Sequence, residues 1–549
     1  MSKKVWKFAL VVCLVAVLGV FAGCKVTPPP EEVVLVFGSS GDAARLDPAD
    51  VTDGESIQRM DNIFEGLVEF KSGTTEIQPC LAESWDISEN GLELTFNLRH
   101  GVKFQDGTDF NADAVVFSFA RQYDTDNPYH QYGEWAYWGY MFSDVDRVEK
   151  IDDYTVKIVL KATNASLMTS LAMFTACIVS PANAEMYKED AFKHPCGTGP
   201  FKFVEWVKDD HITLVANEDY WRERPELDKL IFRVIPDDSA RLMALEANEI
   251  QGMEYPDPVS FDRIEANPDL QLLTQPGMNI GYMAMNCGYG YVDADENGVR
   301  DSNEPWVKTP AYFEPLTKKE VRQAINYAID KESIVTDLYK GTAIVAKNGM
   351  PPFMLGYNDD IEDYAYDPEK ARTLLADAGY PDGFEVTLYV MPVARPYMFD
   401  PTKIGQAIQA YLGAVGIDVE IYSVEWATYL QETEAGKHQM CLLGWTGDNG
   451  DPDNFMNVLY GANACSIGTA GNFAFYNNEE VQDSITQALR TYDITERANY
   501  YKEAQITLHE DAPFVYLAHA NQNLVFRSNV HGYVLNPTSR KFFYPVSIE

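Results

Sequence analysis

The chain has 549 residues, of which 46% are hydrophobic and 23% are charged. This length is enough for several domains with their own cores, and the composition is that of a folded protein. The net charge of −40 predicts repulsion of DNA and RNA backbones, so we expect no nucleic-acid partner. Past the N-terminal 23 residues, no segment is long and apolar enough to span a bilayer.

The N-terminal segment has the order of parts of a secretory signal peptide. Three lysines precede an apolar run over residues 8–20, which is too short for a transmembrane helix, and small residues then precede Cys24. This junction resembles the lipobox of bacterial lipoproteins, although Phe21 stands where leucine is the commonest choice. We therefore expect residues 1–23 to be cleaved, Cys24 to be lipidated and the Pro-rich residues 24–32 to form a short tether. The alternative is an ordinary cleaved signal with an incidental cysteine.

Six further cysteines follow, and an oxidising compartment would permit disulfides among Cys80, Cys177, Cys196, Cys287, Cys441 and Cys465. Six cysteines allow 15 connectivities, so no pairing is assigned. The chain contains no C-x-x-C motif, which argues against a zinc ribbon or a thioredoxin-type redox site.

Period-two alternation over residues 92–98 predicts a half-buried strand within an antiparallel meander, after a first short strand at 33–36. Asn111 is predicted to cap a helix that begins at Ala112. A second strand pair is predicted over residues 145–150 and 155–160.

The segment 367–443 predicts alternating helices and strands. Helices are expected to start at Asp367-Pro368 and Asp400-Pro401 and to end before Gly379 and Gly416, because aspartate caps a helix and proline suits its first position. A third helix is expected over 426–435, and strands over 384–391, 417–422 and 439–443. This β-α-β-α-β order predicts a parallel sheet.

Ligands of parallel sheets bind in the loops after the strands' carboxyl ends. One such loop carries Arg395, and the next, over residues 445–453, carries Asp448. Arginine suits a ligand carboxylate and aspartate a ligand ammonium, and an extended dipeptide spans about 7 Å between its charged ends. The alternative is that the two side chains pair with each other or are solvated. Three aromatic residues, Tyr397, Trp426 and Trp445, are candidate ligand walls, with core packing as the alternative.

Five segments resemble the dipeptide-binding receptors of bacterial ABC importers, within the wider dipeptide, oligopeptide and nickel receptor family, over residues 81–85, 96–107, 197–201, 321–330 and 391–455. The resemblance implies that Arg395 binds the peptide carboxylate and Asp448 its α-ammonium. It also implies side-chain pockets near Tyr397, Trp426 and Trp445, with Thr446 and Gly447 on the ligand loop. A peptide longer than a dipeptide, or a peptide-like metabolite, stays open.

The resemblance implies an α/β fold, a two-lobed, three-domain clamshell of the periplasmic-binding-protein type with mixed sheets and a hinge between the lobes. We assign residues 33–79, 200–290 and 514–549 to the main domain of lobe I, 80–199 to its accessory domain and 307–513 to lobe II. Residues 291–306 look like an insertion that family members usually lack.

That insertion has the spacing of an EF-hand calcium loop. Oxygen ligands fall at positions 1, 3, 5, 9 and 12, with glycine at position 6, which permits the sharp turn. We expect a structural Ca²⁺ held by Asp293, Asp295, Asn297, the Val299 carbonyl, Asp301 and Glu304. Flanking EF-hand helices are not evident, and the alternative is an acidic loop without metal.

The predicted function is that of a lipid-anchored, extracytoplasmic and monomeric receptor, which closes over a dipeptide and delivers it to the permease of an ABC importer. Receptors for oligopeptides, a nickel chelate or an oligosaccharide are the alternatives within the family. An extracytoplasmic hydrolase is the rival class, but the chain has no G-x-S-x-G or H-E-x-x-H motif, so we expect no enzyme activity and no functional cofactor.

Overall fold

The computed structural model describes residues 32–294 and 299–549. The predicted signal peptide, Cys24 and nearly all of the tether lie outside the described residues, as do residues 295–298 of the predicted calcium loop. Within the described part, no helix has the length and apolar character needed to cross a membrane.

The strands are β1 Val34–Ser39, β2 Val68–Phe70, β3 Ile77–Pro79, β4 Ala82–Ile87, β5 Glu93–Leu98, β6 Val145–Asp152, β7 Thr155–Leu160, β8 Phe201–Val207, β9 His211–Ala216, β10 Lys229–Val234, β11 Gly252–Glu254, β12 Leu270–Pro276, β13 Asn279–Met285, β14 Tyr289–Gly290, β15 Val307–Lys308, β16 Ala343–Val345, β17 Phe384–Tyr389, β18 Ile417–Tyr422, β19 Met440–Thr446, β20 Phe514–Arg527, β21 Val530–His531 and β22 Ser547–Ile548. The α-helices are Gly54–Met60, Ala112–Tyr123, Ala136–Met141, Leu167–Ser170, Pro181–Tyr187, Asp238–Glu246, Phe261–Glu265, Glu314–Thr317, Lys319–Ala328, Lys331–Ile334, Pro368–Asp377, Pro401–Gly413, Trp426–Glu434, Asp453–Tyr460, Glu479–Arg490 and Ile494–Asp511.

One mixed sheet of twelve strands runs through both lobes in the order β18-β17-β19-β13-β20-β11-β1-β10-β9-β8, with β12 and β16 paired to β20. We call the part of this sheet with β1, β8 to β12 and the second half of β20 lobe I, and the part with β13, β16 to β19 and the first half of β20 lobe II. The bounds predicted from the sequence instead placed β13 and all of β20 in lobe I. A separate antiparallel sheet has the order β4-β5-β7-β6. The predicted α/β clamshell is therefore confirmed.

The predicted β-α-β-α-β segment is present in lobe II, and β17 pairs in parallel with β18 and β19. Asp367 and Asp400 cap their helices by accepting hydrogen bonds from backbone N–H groups three residues on. Gly379 and Gly416 adopt positive φ angles of 97° and 94° after the helix ends, as glycine readily does. The sheet is mixed because β19 also pairs antiparallel with β13.

Strands β13 and β20 meet where the chain passes between the lobes, and the side chain of Asn279 joins them. Its Nδ2 donates to the Ala520 carbonyl at 2.8 Å, and the Ala520 N–H donates to its Oδ1 at 2.9 Å. Gly277 lies against this bridge, where an added Cβ would stand 2.2 Å from Asn279 Nδ2. The Asn279 side-chain amide thus takes the place of a backbone partner for Ala520 at the crossing. It satisfies the buried N–H and carbonyl groups of that residue.

The lobes also contact each other away from this crossing. The Ala165 N–H donates to the Leu489 carbonyl at 2.8 Å, and Thr163 Oγ1 donates to the Arg490 carbonyl at 3.2 Å. Arg490 forms an ion pair with Asp144 at 2.5 Å. The segment that carries β4 to β7 therefore packs against the helices of lobe II.

The six cysteines after the tether all lie in the described residues and are free thiols, so no disulfide joins any of them there.

Candidate ligand-binding site

Arg395 lies in a tight turn, residues 392–398, which we call the arginine turn. The Arg395 N–H donates to the Met398 carbonyl at 3.0 Å, and the Met398 N–H donates back to the Arg395 carbonyl at 2.9 Å. The preceding strand, β17, ends at Tyr389, two residues before the predicted strand end. These paired bonds fix the backbone from which the arginine side chain projects.

Tyr397 is 7% exposed and packs in the core, which is the arrangement named as the alternative to a ligand wall. Its carbonyl accepts a hydrogen bond from the Tyr339 hydroxyl at 2.9 Å. Its ring lies on Gly444, where an added Cβ would stand 2.3 Å from the ring, and its carbonyl would stand 2.7 Å from a Cβ added at Gly281. Tyr397 thus anchors the arginine turn to two neighbouring strands.

The Arg395 guanidinium stacks over the ring of Trp426, with 4.2 Å between its central carbon and the ring centroid. Trp426 is the first residue of its helix, and it stacks in turn on Tyr429. Arg395 Nε is buried without a hydrogen-bond partner, and no described carboxylate forms an ion pair with the side chain. Trp426 therefore orients a cation that keeps its full capacity to bind an anion.

Asp448 lies in the loop of residues 447–452, which we call the aspartate loop. Its backbone N–H donates to Asn454 Oδ1 at 2.9 Å. Its carboxylate Oδ2 accepts hydrogen bonds from the Tyr137 hydroxyl at 3.0 Å and from Asn454 Nδ2 at 3.4 Å. Neutral donors therefore hold the carboxylate, and no described cation forms an ion pair with it.

Burial raises the pKa of Asp448 from its ordinary 3.8 to about 6. The hydrogen bonds from Tyr137 and Asn454 and the nearby charge of Arg540 oppose this shift but do not cancel it. The buried carboxylate therefore has no positively charged partner that fully offsets the cost of its burial. A ligand ammonium would supply that charge.

Trp445 and Thr446 are the last residues of β19 and not part of a loop, which corrects the predicted start of the second loop. Trp445 is half-buried, and its indole Nε1 donates to Asn454 Oδ1 at 3.0 Å. Thr446 pairs with Asn279 in the sheet register. The Gly447 N–H donates to the Met278 carbonyl at 2.7 Å, and an added Cβ at Gly447 would stand 2.6 Å from Phe455.

The remaining aspartates of this run have other partners. Asp451 forms a buried, two-point ion pair with Arg497, with both N–O distances at 2.6 Å. Asp453 accepts from the Ser166 hydroxyl at 3.4 Å, and burial raises its pKa to about 7. Asp451 is thus paired with a cation, whereas Asp448 and Asp453 form no ion pair among the described residues and accept hydrogen bonds from neutral donors.

Arg395 and Asp448 do not pair with each other, so the alternative of an internal ion pair is wrong. Sequence reasoning missed Asn454, which is fully buried and holds both Trp445 and Asp448. It also missed Tyr137, which comes from the segment predicted as the accessory domain. Neither residue has a motif or periodicity that would have marked it.

The described part of the calcium-like insertion sits on a two-stranded stem, because β14 pairs with β15. The Glu304 carboxylate is buried and accepts hydrogen bonds from the Ala294 N–H at 2.7 Å and the Asp301 N–H at 2.9 Å. The first and last positions of the loop are therefore close together. Among the described residues, Glu65, Glu69 and Cys80 bring three metal-ligand side chains together, and they do not belong to this loop.

The family of bacterial extracellular solute-binding proteins, family 5, matches residues 76–466. The dipeptide-binding protein of Escherichia coli is 38% identical over 531 residues, which is 94% of each chain. The heme-binding protein A of Haemophilus influenzae is 38% identical over 518 residues, covering 91% of this chain and 90% of that protein.

A solved structure of an ABC transporter-associated periplasmic binding protein from Helicobacter pylori, in complex with the peptide STSA, superimposes with a TM-score of 0.83. It is 36% identical and covers 94% of this chain and 98% of its own. The fold and these matches define a clamshell protein that binds solutes outside the cytoplasm. The chain belongs to the bacterial extracellular solute-binding proteins of family 5, which confirms the predicted family.

The raised pKa predicts a stability gain for Asp448→Asn in the ligand-free protein. The folded state binds the carboxyl proton more tightly than the unfolded state, so wild-type stability falls as pH rises from 3.8 towards 6. Asparagine is neutral throughout and can accept the same hydrogen bonds. We expect Asp448→Asn to be more stable above pH 7 by on the order of 1–2 kcal/mol, allowing for partial solvent screening, with the difference vanishing near pH 4.

Urea denaturation at a series of pH values measures this difference, and comparison with wild type cancels the titration of Asp453. Asp418→Asn, an exposed change in the same lobe, serves as the matched control and should change little. A variant that is no more stable than wild type at pH 8 would contradict the raised pKa.

Proposed function

We propose that this protein is a receptor for dipeptides and delivers them to the permease of an ABC importer. The observation that carries the proposal is the pair of unneutralised charges, with the Arg395 guanidinium oriented on Trp426 and the Asp448 carboxylate held by Asn454 and Tyr137. A zwitterionic ligand satisfies both charges at once. The receptor binds and releases it unchanged, and no catalytic step is part of the proposal.

Sequence identity does not separate the candidate ligands, because the dipeptide-binding and heme-binding relatives are both 38% identical. The chemistry of the site does separate them. A haem carries two carboxylates and no ammonium, so Asp448 would face it without a partner. A free peptide carries one charge of each sign, which matches Arg395 and Asp448.

Closure of the two lobes completes the site. Tyr137 reaches the Asp448 carboxylate across a separation of 311 residues in the chain and brings the segment of β4 to β7 against lobe II. Ligand bound between the lobes is then removed from water, which strengthens both charged contacts. We propose that the permease recognises this closed form of a monomeric receptor.

Two variants combined with two modified ligands test the contacts at the two ends of the ligand separately. Arg395→Ala and Asp448→Asn should each weaken binding of Ala-Ala by roughly 2–5 kcal/mol, because each leaves one ligand charge unpaired in a desolvated site. Wild type should bind the C-terminal amide and the N-acetylated form weakly. The amide has no carboxylate for Arg395 to bind, so Arg395→Ala should bind it about as weakly as wild type does. The N-acetylated form has no ammonium for Asp448 to bind, so Asp448→Asn should bind it about as weakly as wild type does.

Calorimetric titration of the ligand-stripped protein gives these affinities, with haemin as a further ligand. Arg372→Ala, an exposed change in lobe II, is the matched control for the loss of an arginine. Tight binding of N-acetyl-Ala-Ala by wild type, or full affinity of Arg395→Ala for Ala-Ala, would refute the two-ended clamp. Binding of haemin alone would move the assignment to the heme-binding relatives.

We also propose that residues 293–304 hold a structural Ca²⁺ with the ligands given above. The spacing of the oxygen ligands and the position of Glu304 beside the start of the loop support this. The insertion packs on lobe II, where the Arg300 N–H donates to Asn463 Oδ1 at 3.1 Å. A bound ion would therefore stabilise this edge of the lobe and take no part in ligand binding.

Free Ca²⁺ at 100 times its Kd should raise the free energy of unfolding by about 2.7 kcal/mol. Thermal and urea unfolding in Ca²⁺ and in EGTA measure this. Glu304→Gln should lose the effect, and Glu320→Gln, an exposed change on a helix, should keep it. Equal stability of the wild-type protein in both buffers would rule out the site.

Anchoring by lipid on Cys24 is the last part of the proposal and rests on the sequence of residues 1–24. In bacterial cells, wild type should be recovered in the membrane fraction and labelled by radioactive palmitate. Cys24→Ser should lose both properties, and Cys287→Ser should keep them. Labelling of Cys24→Ser would disprove attachment at this residue.

A further inference from the structure

Asp453 lies at the contact between lobe II and the segment that carries β4 to β7. It is 3% exposed and is the first residue of the helix Asp453–Tyr460. Its Oδ2 lies 3.4 Å from the hydroxyl oxygen of Ser166, which follows β7 in the chain. Its Oδ1 is buried without a hydrogen-bond partner among the described residues. The carboxyl group is therefore part of the contact between the two halves of the clamshell.

The charges around Asp453 do not balance. Asp451, which accepts a hydrogen bond from the Asp453 N–H at 2.9 Å, is paired through both its oxygens with Arg497. On the other side of the contact, Asp144 is paired with Arg490. Three carboxyl groups thus meet two arginines in this part of the described chain, and each arginine is paired with an acid other than Asp453.

The hydrogen-bond donors at this contact are also one short. Asn164 Nδ2 donates to Asp144 at 3.1 Å, which orients the amide so that its Oδ1 is an acceptor. Ser166 Oγ lies 2.8 Å from that acceptor and 3.4 Å from Asp453 Oδ2. A hydroxyl has one hydrogen, so it cannot serve both acceptors at once. A proton on Asp453 removes this competition, because the carboxyl group can then donate to Ser166 Oγ.

Burial raises the pKa of Asp453 to about 7, and the negative charges of the two neighbouring aspartates raise it as well. Arg497 and the Ser166 hydroxyl oppose this shift without cancelling it. Tyr501 also faces this group, but burial raises the pKa of its hydroxyl far above neutral, so it stays protonated. The electrostatics therefore agree with the hydrogen-bond geometry in favouring a proton on Asp453.

We propose that Asp453 couples closure of the lobes to the uptake of one proton from solvent. The carboxyl group is protonated while Ser166 lies against it, and it is ionised once the lobes part and water reaches it. The closed form is thus favoured below pH 7, and this advantage is lost as the pH rises through 7. The receptor holds peptide more tightly in acidic surroundings. This inference rests on the proposed receptor function and adds regulation by pH to it.

Calorimetric titration with Ala-Ala at pH 7, in buffers of different ionisation enthalpy, counts the protons that binding takes up. Wild type should take up about 0.5 proton more than Asp453→Asn, because a group with a pKa of about 7 is half protonated there. The affinity of wild type relative to this variant should fall about tenfold between pH 6 and pH 8. The comparison cancels the titration of Asp448 and of the ligand amine. Asp418→Asn, an exposed change, is the matched control and should behave as wild type.

Small-angle X-ray scattering of the ligand-free wild type is a second measurement, which carries the test if Asp453→Asn does not fold. The radius of gyration should decrease as the pH falls from 8 to 6. Equal proton uptake by wild type and Asp453→Asn would overturn the coupling and leave the receptor function standing. If no dipeptide binds wild type, the receptor function fails and scattering decides the coupling, which a radius independent of pH would refute.

Discussion

The rest of this structure depends on two side chains of opposite charge, Arg395 and Asp448, each of which is held in place without a charged partner. Removing a charge from water costs free energy that a counter-charge must offset. Arg395 is oriented by Trp426, and Asp448 is held by neutral donors, and in the proposed function a ligand supplies the offset. The pKa of Asp448 is raised to about 6 because no counter-charge fully offsets its burial. A site of this kind is less stable when empty and selects a ligand that carries both charges.

The surrounding elements hold these charges in position. Tyr397 anchors the arginine turn, and Asn454 ties Asp448 to Trp445. The β13–β20 crossing joins the lobes through the buried amide of Asn279.

Local rules were enough to predict much of lobe II. Asp-Pro pairs and glycines placed the helices, and the strand order placed Arg395 and Asp448 after neighbouring strand ends. The contacts that local rules could not predict depend on distant residues. The burial of Tyr397 follows from glycines on two other strands, and Tyr137 reaches Asp448 from 311 residues away. Asn454 is close in sequence, but an asparagine after an aspartate carries no sign that it will organise a site. Such long-range packing has no local signature.

A crystal structure of the mature protein with a bound dipeptide tests the central claim most directly. The account predicts that the ligand carboxylate contacts the Arg395 guanidinium and that the α-ammonium lies within hydrogen-bond distance of Asp448, with the lobes closed over both. A dipeptide bound with its ends reversed, or bound away from either residue, would contradict it.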